Sequence, residues 1–241
     1  MSNYLILGGL GQIGSHFINN YIDLEKDCIF IIDNKNYNLI DSESIKHFQI
    51  NASNPKEYYD VQEFFKEKNI KIDFFLFSIG INYHNNFFTS THETFINTFD
   101  INLNSFYISL KYLYSSLSRH ASIVAISSQN GIVGHENRIE YSPSKASLIQ
   151  IVKNLTIDFS KDSSKDIRVN CISPGYIITE NNKEFFEKIE GKKLIKRNPY
   201  KKIVTLKDVC DSINFLFSES SYAIRGQNII VDFGYTIQWS K

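Results

Sequence analysis

A tyrosine and a lysine stand four residues apart in the segment YSPSK, which begins at Tyr141 and ends at Lys145. A helix that starts here would set both side chains on one face. A free phenol has a pKa of about 10, and a neighbouring ammonium together with a bound cationic ring favours the phenolate. A pKa lowered by about two to three units would let Tyr141 exchange a proton with an alcohol or ketone near neutral pH.

A serine at the end of an apolar run supplies a second polar group for the same chemistry. Ser128 ends the run SIVAISS, thirteen residues before Tyr141. Its hydroxyl could hydrogen-bond a substrate oxygen and stabilise the charge that develops there. Ser127, at the same strand end, is the alternative for this role.

The loop between Ser128 and Tyr141 contains polar residues that could reach a substrate: His135, Asn137 and Arg138. A solvent-facing polar loop is the simpler interpretation, in which Gln129 or Asn130 lines the pocket because it adjoins Ser128. Residues 180–202 hold eight Lys or Arg against four Glu and are predicted to be a helical substrate lid. Such a lid could close on an anionic substrate, or it could be a solvated helix face.

A glycine-rich turn, GGLGQIG, follows the first apolar run and leads into a helical run. Glycine permits a tight turn and close approach of the backbone to a pyrophosphate, while a helix amino terminus offers unpaired N–H groups. The turn therefore predicts a dinucleotide site. Its expected contacts come from Gly8, Gly11, Gln12, Ile13 and Gly14.

An aspartate, Asp33, ends the second apolar run. A carboxylate at this position accepts hydrogen bonds from the adenosine ribose hydroxyls and repels a 2′-phosphate. NAD(H) is therefore the predicted cofactor. NADP(H) is the less favoured alternative because Lys35 could neutralise a phosphate, and an aspartate that only shapes the turn is the other interpretation of Asp33.

Short apolar runs alternate with helical ones along the whole chain. The predicted strands are 4–7, 28–32, 47–50, 74–77, 123–126, 168–172 and 229–231, and the main predicted helices are 15–24, 61–68, 95–117, 145–160 and 206–217. Runs that are apolar at nearly every position suit parallel strands buried on both faces. The expected fold class is α/β, a doubly wound, parallel, seven-stranded sheet of the Rossmann type with helices on both faces, as a single domain over 1–241.

The segments ISSQNG and YSPSK, with the gap between them, resemble the active site of the short-chain dehydrogenase/reductase family, single-domain branch. The resemblance covers the whole chain in the right order. It implies that Asn102, in DINLN, is a fourth catalytic residue beside Ser128, Tyr141 and Lys145. In this family pattern Asn102 fixes a helix kink and a water that passes protons toward Lys145, and Lys145 also holds the nicotinamide ribose hydroxyls.

The resemblance also implies cofactor contacts along the carboxyl ends of the strands. By position these are Asn34, Asn51, Ala52, Ser78, Ile79, Gly80, Asn102, Tyr141, Lys145, Pro174, Gly175, Ile177 and Thr179. The chain departs from the pattern at several places. Gln12 stands where single-domain members usually have glycine, FSIG replaces the usual NNAG, Asn51 replaces an acidic residue that faces adenine, and Phe233 replaces a common glycine.

These features predict an NAD(H)-dependent alcohol dehydrogenase or carbonyl reductase that moves a hydride between nicotinamide and a secondary alcohol or ketone. An anionic or sugar-like substrate is one possibility within this prediction. A sugar epimerase or dehydratase is an alternative because the glycines of the turn are three apart. A non-catalytic NAD-sensing protein is another. The resemblance further implies a homotetramer or homodimer, built on the helices around 95–117 and 145–160.

Composition narrows the classes of partner. Lys and Arg balance Asp and Glu at 26 each, so no overall field favours nucleic acid or an anionic membrane. No apolar stretch reaches the roughly 20 residues of a membrane span. The three cysteines, Cys28, Cys171 and Cys210, fit neither a disulfide framework nor a metal site and are interpreted as buried thiols. Charge balance and the missing span together predict a metal-free cytoplasmic protein with a small-molecule substrate.

Overall fold

A computed structural model describes residues 1–35 and 42–238 of the chain. Its strands are β1 (Asn3–Leu7), β2 (Cys28–Asp33), β3 (Ile45–Gln49), β4 (Ile72–Phe77), β5 (Leu117–Ile126), β6 (Arg168–Pro174), β7 (Ile177–Ile178), β8 (Val204–Thr205) and β9 (Asn228–Val231). Seven of them form one parallel sheet in the order β3-β2-β1-β4-β5-β6-β9. The predicted sheet is confirmed, and every predicted strand lies within or next to an observed one.

The helices cover both faces of this sheet. They are α1 (Gln12–Tyr21), α2 (Tyr58–Glu67), α3 (His92–Phe99), α4 (Ser105–Leu113), α5 (Tyr141–Phe159), α6 (Lys183–Glu187), α7 (Ile189–Arg197) and α8 (Leu206–Phe217). Apolar residues of α2, α4 and α5 pack against one face, and those of α1 and α8 pack against the other. In β1, Leu5 and Leu7 join the first cluster while Ile6 joins the second, because successive side chains point to opposite faces. This explains the continuous apolar runs.

The predicted single helix over 95–117 is wrong. The chain forms α3, then a π-helical turn at Asp100–Asn104, then α4, and a 3₁₀ turn at Tyr114–Ser116, and Leu117 already begins β5. The apolar period continues from the π-helical turn onward because Leu103, Phe106 and Tyr114 all belong to the apolar cluster on one side of the sheet. A π-helical turn adds a residue to the repeat and is frequently found at functional sites.

The strand order reverses between β1 and β4, so a crevice opens at the carboxyl ends of these neighbours. The segment after β6 runs across this end of the sheet through β7, α6 and α7, and β7 pairs with β8. The basic segment 180–202 is therefore largely helical, as predicted. Within the described ranges, no helix has the length and apolar character needed to cross a membrane.

Candidate active site

The glycine-rich turn joins β1 to α1 at the switch point of the sheet. Gly8 has a φ of +79°, a backbone conformation that residues other than glycine adopt only under strain. The N–H of Gly11 donates to the carbonyl of Gly8 at 3.0 Å. A Cβ on Gly14 would meet the backbone of Gly8 and Gly9. No side chain caps the amino terminus of α1. Its first-turn N–H groups therefore remain free to bind a phosphate.

Asp33 lies next to this turn at the end of β2, and its carboxylate accepts backbone hydrogen bonds. One oxygen accepts the N–H of Leu10 at 3.1 Å and the other accepts the N–H of Lys35 at 3.1 Å. The carboxylate therefore holds the glycine-rich turn against β2. Each oxygen keeps lone-pair capacity for a further donor such as a ribose hydroxyl.

A cavity of about 350 Å³ opens beside these groups. Nine residues of the predicted cofactor set line it: Gly8, Gly11, Asp33, Asn34, Asn51, Ala52, Ser78, Ile79 and Gly80. Lys35 also lines it. The Asn51 side chain accepts from the N–H and hydroxyl of Ser53, at 3.1 and 2.8 Å, so it shapes the loop after β3 at the cavity wall.

A second cavity of about 220 Å³ adjoins the first and shares Ser78, Ile79, Gly80 and Ile81 with it. Its remaining walls come from the carboxyl ends of β5 and β6 and from α5. Seven further predicted site residues line it: Ile13, Ser128, Tyr141, Lys145, Pro174, Gly175 and Ile177. Ser128, Tyr141 and Lys145 therefore face one cavity that is continuous with the space at the glycine-rich turn.

Lys145 is buried at the junction of the two cavities. Its ammonium donates to the carbonyl of Ile126 at 2.9 Å and lies 5.8 Å from the centre of the Tyr141 ring. A Cβ on Gly80 would lie 3.0 Å from the Lys145 Nζ, so glycine at this position leaves room for the amine. Burial lowers the pKa of Lys145 from 10.5 to about 8, because the charged form is poorly solvated there.

Tyr141 is half-buried, and desolvation raises the pKa of its phenol. A hydrogen bond with Ser128 and the positive charge of Arg138 oppose this rise. The predicted lowering of the Tyr141 pKa therefore does not occur in the chain alone, because desolvation outweighs the neighbouring charges. That prediction also counted the cationic ring of a bound cofactor, which is not part of the chain.

Ser127 and Ser128 have different partners. The Ser127 hydroxyl donates to the carbonyl of Lys145 at 2.8 Å and so ties the end of β5 to α5. The Ser128 hydroxyl accepts from the N–H of Asn130 at 3.1 Å and bonds Tyr141. Because the Ser127 proton is committed to a backbone carbonyl, Ser128 is the better placed of the two for a substrate oxygen.

Asn102 lies behind the cavity, fully buried in the π-helical turn. Its Oδ1 accepts from the N–H of Ile81 at 2.8 Å, and its Nδ2 donates to the carbonyl of Ile81 and the hydroxyl of Ser144, both at 3.0 Å. Asn102 thus joins the end of β4 to the first turn of α5. A π-helical turn interrupts the helical path at this residue. The kink and the water that the resemblance implies for Asn102 stay predictions.

Four predicted cofactor contacts lie outside both cavities: Asn102, Gly14, Gln12 and Thr179. Gly14 packs beneath the turn, and Gln12 is exposed with its Nε2 3.4 Å from the hydroxyl of Thr179. Sequence reasoning left out several lining residues: Ile50, Ser53, Ile81, Asn82, Ile101, Ser105 and Ile126. Ile50 and Ile126 each end a predicted strand, and this position could have identified them.

The two joined cavities have the features that a nicotinamide dinucleotide requires. The glycine-rich turn and the uncapped α1 suit a pyrophosphate, Asp33 suits a ribose, and the second cavity has room beside Tyr141 and Lys145 for a ring. In the described parts of the chain, no group of three or more His, Cys, Asp or Glu side chains could hold a metal ion.

Comparisons with known proteins agree with this geometry. A family model described as "Enoyl-(Acyl carrier protein) reductase" matches residues 34–236. The chain is 36% identical over 116 residues to 3-oxoacyl-[acyl-carrier-protein] reductase FabG of Buchnera aphidicola subsp. Schizaphis graminum (strain Sg), covering 48% of this chain and 46% of the relative. It is 32% identical over 117 residues to glucose 1-dehydrogenase of Gluconobacter oxydans (strain 621H), covering 48% and 43%. The aligned stretch therefore spans about half of this chain and less than half of either relative.

Solved structures match along the full chain. A short-chain dehydrogenase family protein from Francisella tularensis subsp. tularensis SCHU S4 superposes with a TM-score of 0.86 at 25% identity, covering 99% of this chain and 100% of that one. A 4-hydroxyisoleucine dehydrogenase mutant complexed with NADH and succinate superposes with a TM-score of 0.86 at 27% identity and the same coverage. The chain belongs to the short-chain dehydrogenase/reductase family, whose members are NAD(P)-dependent oxidoreductases.

Proposed function

We propose that this protein is an NAD(H)-dependent oxidoreductase that interconverts a secondary alcohol and a ketone. The observation that carries the proposal is the position of Ser128, Tyr141 and Lys145 around one cavity, which continues into the space at the glycine-rich turn. A sensor that only binds a dinucleotide needs no phenol beside a buried amine.

The proposed chemistry divides between the chain and its cofactor. When bound, the nicotinamide ring accepts a hydride from the carbinol carbon or returns it to the carbonyl carbon. In alcohol oxidation the hydroxyl proton passes to the Tyr141 oxygen, and in ketone reduction Tyr141 returns it, so charge and atoms balance. The Ser128 hydroxyl donates to the substrate oxygen, and the Lys145 ammonium favours the phenolate over the phenol.

The proposed binding residues follow the two cavities. The turn around Gly8 and Gly11 with the start of α1 would hold the pyrophosphate, and Asp33 would accept the adenosine ribose hydroxyls. Lys145 would hold the nicotinamide ribose. Pro174, Gly175 and Ile177 would form the wall behind the ring, with Thr179 and Gln12 at the outer end.

The preference for NAD(H) rests on Asp33 alone. A similar structure is described with NADH, 4-hydroxyisoleucine dehydrogenase at 26% identity, and another with NADP, ElxO at 25% identity. Both kinds of nicotinamide cofactor thus occur among similar folds. The Asp33 carboxylate would repel a 2′-phosphate, so NADH should bind more tightly than NADPH. Titration of both cofactors against the protein and against Asp33→Ser tests this, and equal or tighter NADPH binding to the unaltered protein contradicts it.

Replacing Tyr141 by Phe tests the reaction itself. The variant removes only the phenolic oxygen, so NADH binding should change by less than about threefold, whereas turnover should fall by at least about a hundredfold. A panel of ketones and alcohols followed at the NADH absorbance measures turnover, and NADH fluorescence measures binding. Tyr83→Phe is a matched control, because the Tyr83 hydroxyl bonds Asn97 outside the cavities. Retained activity in Tyr141→Phe contradicts the assigned proton donor.

Self-association is proposed for the helical face that carries α4 and α5. Tyr107 on α4 and Ile157 on α5 are 48% and 60% exposed, so this face presents apolar side chains that a second copy of the chain could bury. A homodimer or homotetramer would cover these side chains, and sedimentation at micromolar concentration should show the oligomer. A monomer at this concentration contradicts the proposal.

Two further predictions stay untested: a single domain over 1–241 and a cytoplasmic location. Residues 36–41 and 239–241 lie outside the described residues.

A further inference from the structure

Three basic side chains belong to segments that border the second cavity, next to its lining residues Asn82 and Tyr141. They come from two different segments, the one that follows β4 and the loop that precedes α5. We define this group as the basic cluster, formed by His84, His135 and Arg138. None of the three serves the proton or hydride chemistry described above.

Hydrogen bonds between the two segments hold the basic cluster together. The N–H of Ile139 donates to the carbonyl of Asn85 at 3.1 Å, and the Nδ2 of Asn86 donates to the Oδ1 of Asn137 at 3.3 Å. The carbonyl of Arg138 accepts from the N–H of Ser142 at 2.9 Å, which ties the arginine to the first turn of α5. Arg138 therefore has a defined position one helical turn before the catalytic phenol.

Other contacts place the basic cluster against the substrate side of the site. His135 hydrogen-bonds the hydroxyl of Tyr176, which follows the cavity-lining Gly175 at the end of β6. The positive charge of Arg138 influences the pKa values of Tyr141, Tyr176 and His84. For Tyr141 and Tyr176 it opposes the rise in pKa that burial causes. The charge of Arg197, at the end of α7 in the basic lid segment, also reaches Tyr176.

Arg138 has no acidic partner in the part of the chain that the structure describes. Its Nη1 donates to the carbonyl of Asn137 at 2.7 Å, and its enclosed Nε has no acceptor. The nearest carboxylate in sequence on the helix side, Glu140, is occupied by other donors: Asn85 at 3.0 Å, Ser90 at 2.6 Å and Thr94 at 3.0 Å. A half-buried guanidinium without a counter-charge costs free energy that an anion would recover.

We propose that the basic cluster binds a carboxylate of the substrate, with Arg138 as the main contact. This inference rests on the proposed function and narrows its substrate to a small alcohol or ketone that carries a carboxylate close to the reacting carbon. A guanidinium presents donors in a planar fork that matches a carboxylate.

The charge of the cluster favours a carboxylate over a phosphate. Burial and the nearby Arg138 and His135 lower the pKa of His84, so this imidazole is neutral near pH 7 and Arg138 supplies the fixed charge. Arg138 is the one guanidinium of the basic cluster, and its single charge matches a monoanion. A phosphate dianion would call for further paired cations or a row of backbone N–H groups.

Matched substrates test the proposal. The kcat/KM for a series of hydroxy acids is compared with that for the corresponding primary amides, which keep shape and lose charge. The unaltered protein should have the higher kcat/KM for the acids. Arg138→Gln should reduce the ratio of kcat/KM for the acid to kcat/KM for the amide by at least about tenfold. Arg138→Lys should retain part of the preference. Arg119→Gln, an exposed arginine at the start of β5, removes the same charge far from the site and should leave the ratio unchanged.

Direct binding separates this proposal from the proposed function. Propionate and inorganic phosphate are titrated calorimetrically into the NADH-loaded protein, Arg138→Gln and Arg119→Gln. Propionate should bind more tightly than phosphate and lose at least about tenfold in affinity only in Arg138→Gln. Equal turnover of acids and amides, or tighter binding of phosphate than of propionate, overturns the carboxylate site and leaves the oxidoreductase intact. Propionate binding that depends on Arg138, without turnover of any alcohol or ketone, supports the site and overturns the proposed function.

Discussion

Asn102 offers the sharpest test of how the fold supports the site, because one buried amide joins β4, the π-helical turn and α5. Asn102→Ala removes both polar atoms and breaks the bonds to Ile81 and Ser144. The N–H and carbonyl of Ile81 then lose their partners. Ser144 keeps a second bond, from its hydroxyl to the carbonyl of Tyr141 at 2.8 Å.

The size of the effect follows from these contacts. Each lost hydrogen bond contributes about 1 kcal/mol, so the loss of three gives about 3 kcal/mol of destabilisation. Because the Ser144 hydroxyl still has a partner in the variant, its lost bond costs less, and the expected total is about 2–3 kcal/mol. For a chain of this length each kcal/mol lowers the Tm by about 2–4 °C, so the expected fall is about 5–10 °C. Because Ile81 lines both cavities, the Kd for NADH should also rise.

Urea unfolding, thermal unfolding and NADH titration measure these effects together. Asn104→Ala is the matched control, because Asn104 lies in the same turn but is exposed and bonds only Asp100, at 2.6 Å. It should cost less than about 0.5 kcal/mol and leave the Kd for NADH unchanged. If Asn102→Ala costs less than about 1 kcal/mol, or no more than the control, the amide does not join these elements as described.

Two further outcomes follow from buried groups at the site. Because the pKa of Lys145 is about 8 when folded and 10.5 when exposed, the unfolded chain holds a proton between these values that the folded chain has released. The stability of the protein without cofactor should therefore rise with pH through this window. Relative to Lys145→Met, the unfolding free energy of the unaltered protein should increase by up to about 3 kcal/mol. If this difference in unfolding free energy stays constant across pH 7–10.5, the pKa of Lys145 is not lowered. Gly14→Ala places a methyl against the backbone of Gly8 and should weaken NADH binding by at least about tenfold and cost about 1–3 kcal/mol, as titration and urea unfolding would show. Gly134→Ala, with nothing within 4 Å of the added carbon, is the control, and equal effects of the two changes contradict the packing described for Gly14.

The strands were predictable because parallel strands between two helical layers are apolar at nearly every position. Leu5, Ile6 and Leu7 illustrate this, since neighbours in sequence belong to opposite faces and both faces are buried. The break inside 95–117 was not predictable from the apolar period. It depends on Ile81, which is distant in sequence and becomes the partner of Asn102 only when β4 lies beside the turn.

Local spacing also indicated the site, because Tyr141 and Lys145 lie on one helix and the glycines lie within one turn. The ionisation of these groups was not local. Burial, which only the packed chain produces, raises the pKa of Tyr141 and lowers that of Lys145. The basic cluster likewise forms from segments that the sequence separates, since His84 follows β4 while Arg138 precedes α5.

The sequence by itself determined which residues can do chemistry and which runs become strands, because residue type, glycine spacing and apolar period act over a few neighbouring positions. The tertiary structure decided which side chains share a cavity, which of the two serines bonds the phenol, and where a cation stands without a counter-charge. These properties depend on distance and desolvation in the folded chain, and they arise only when parallel strands bring their carboxyl ends to one edge of the sheet.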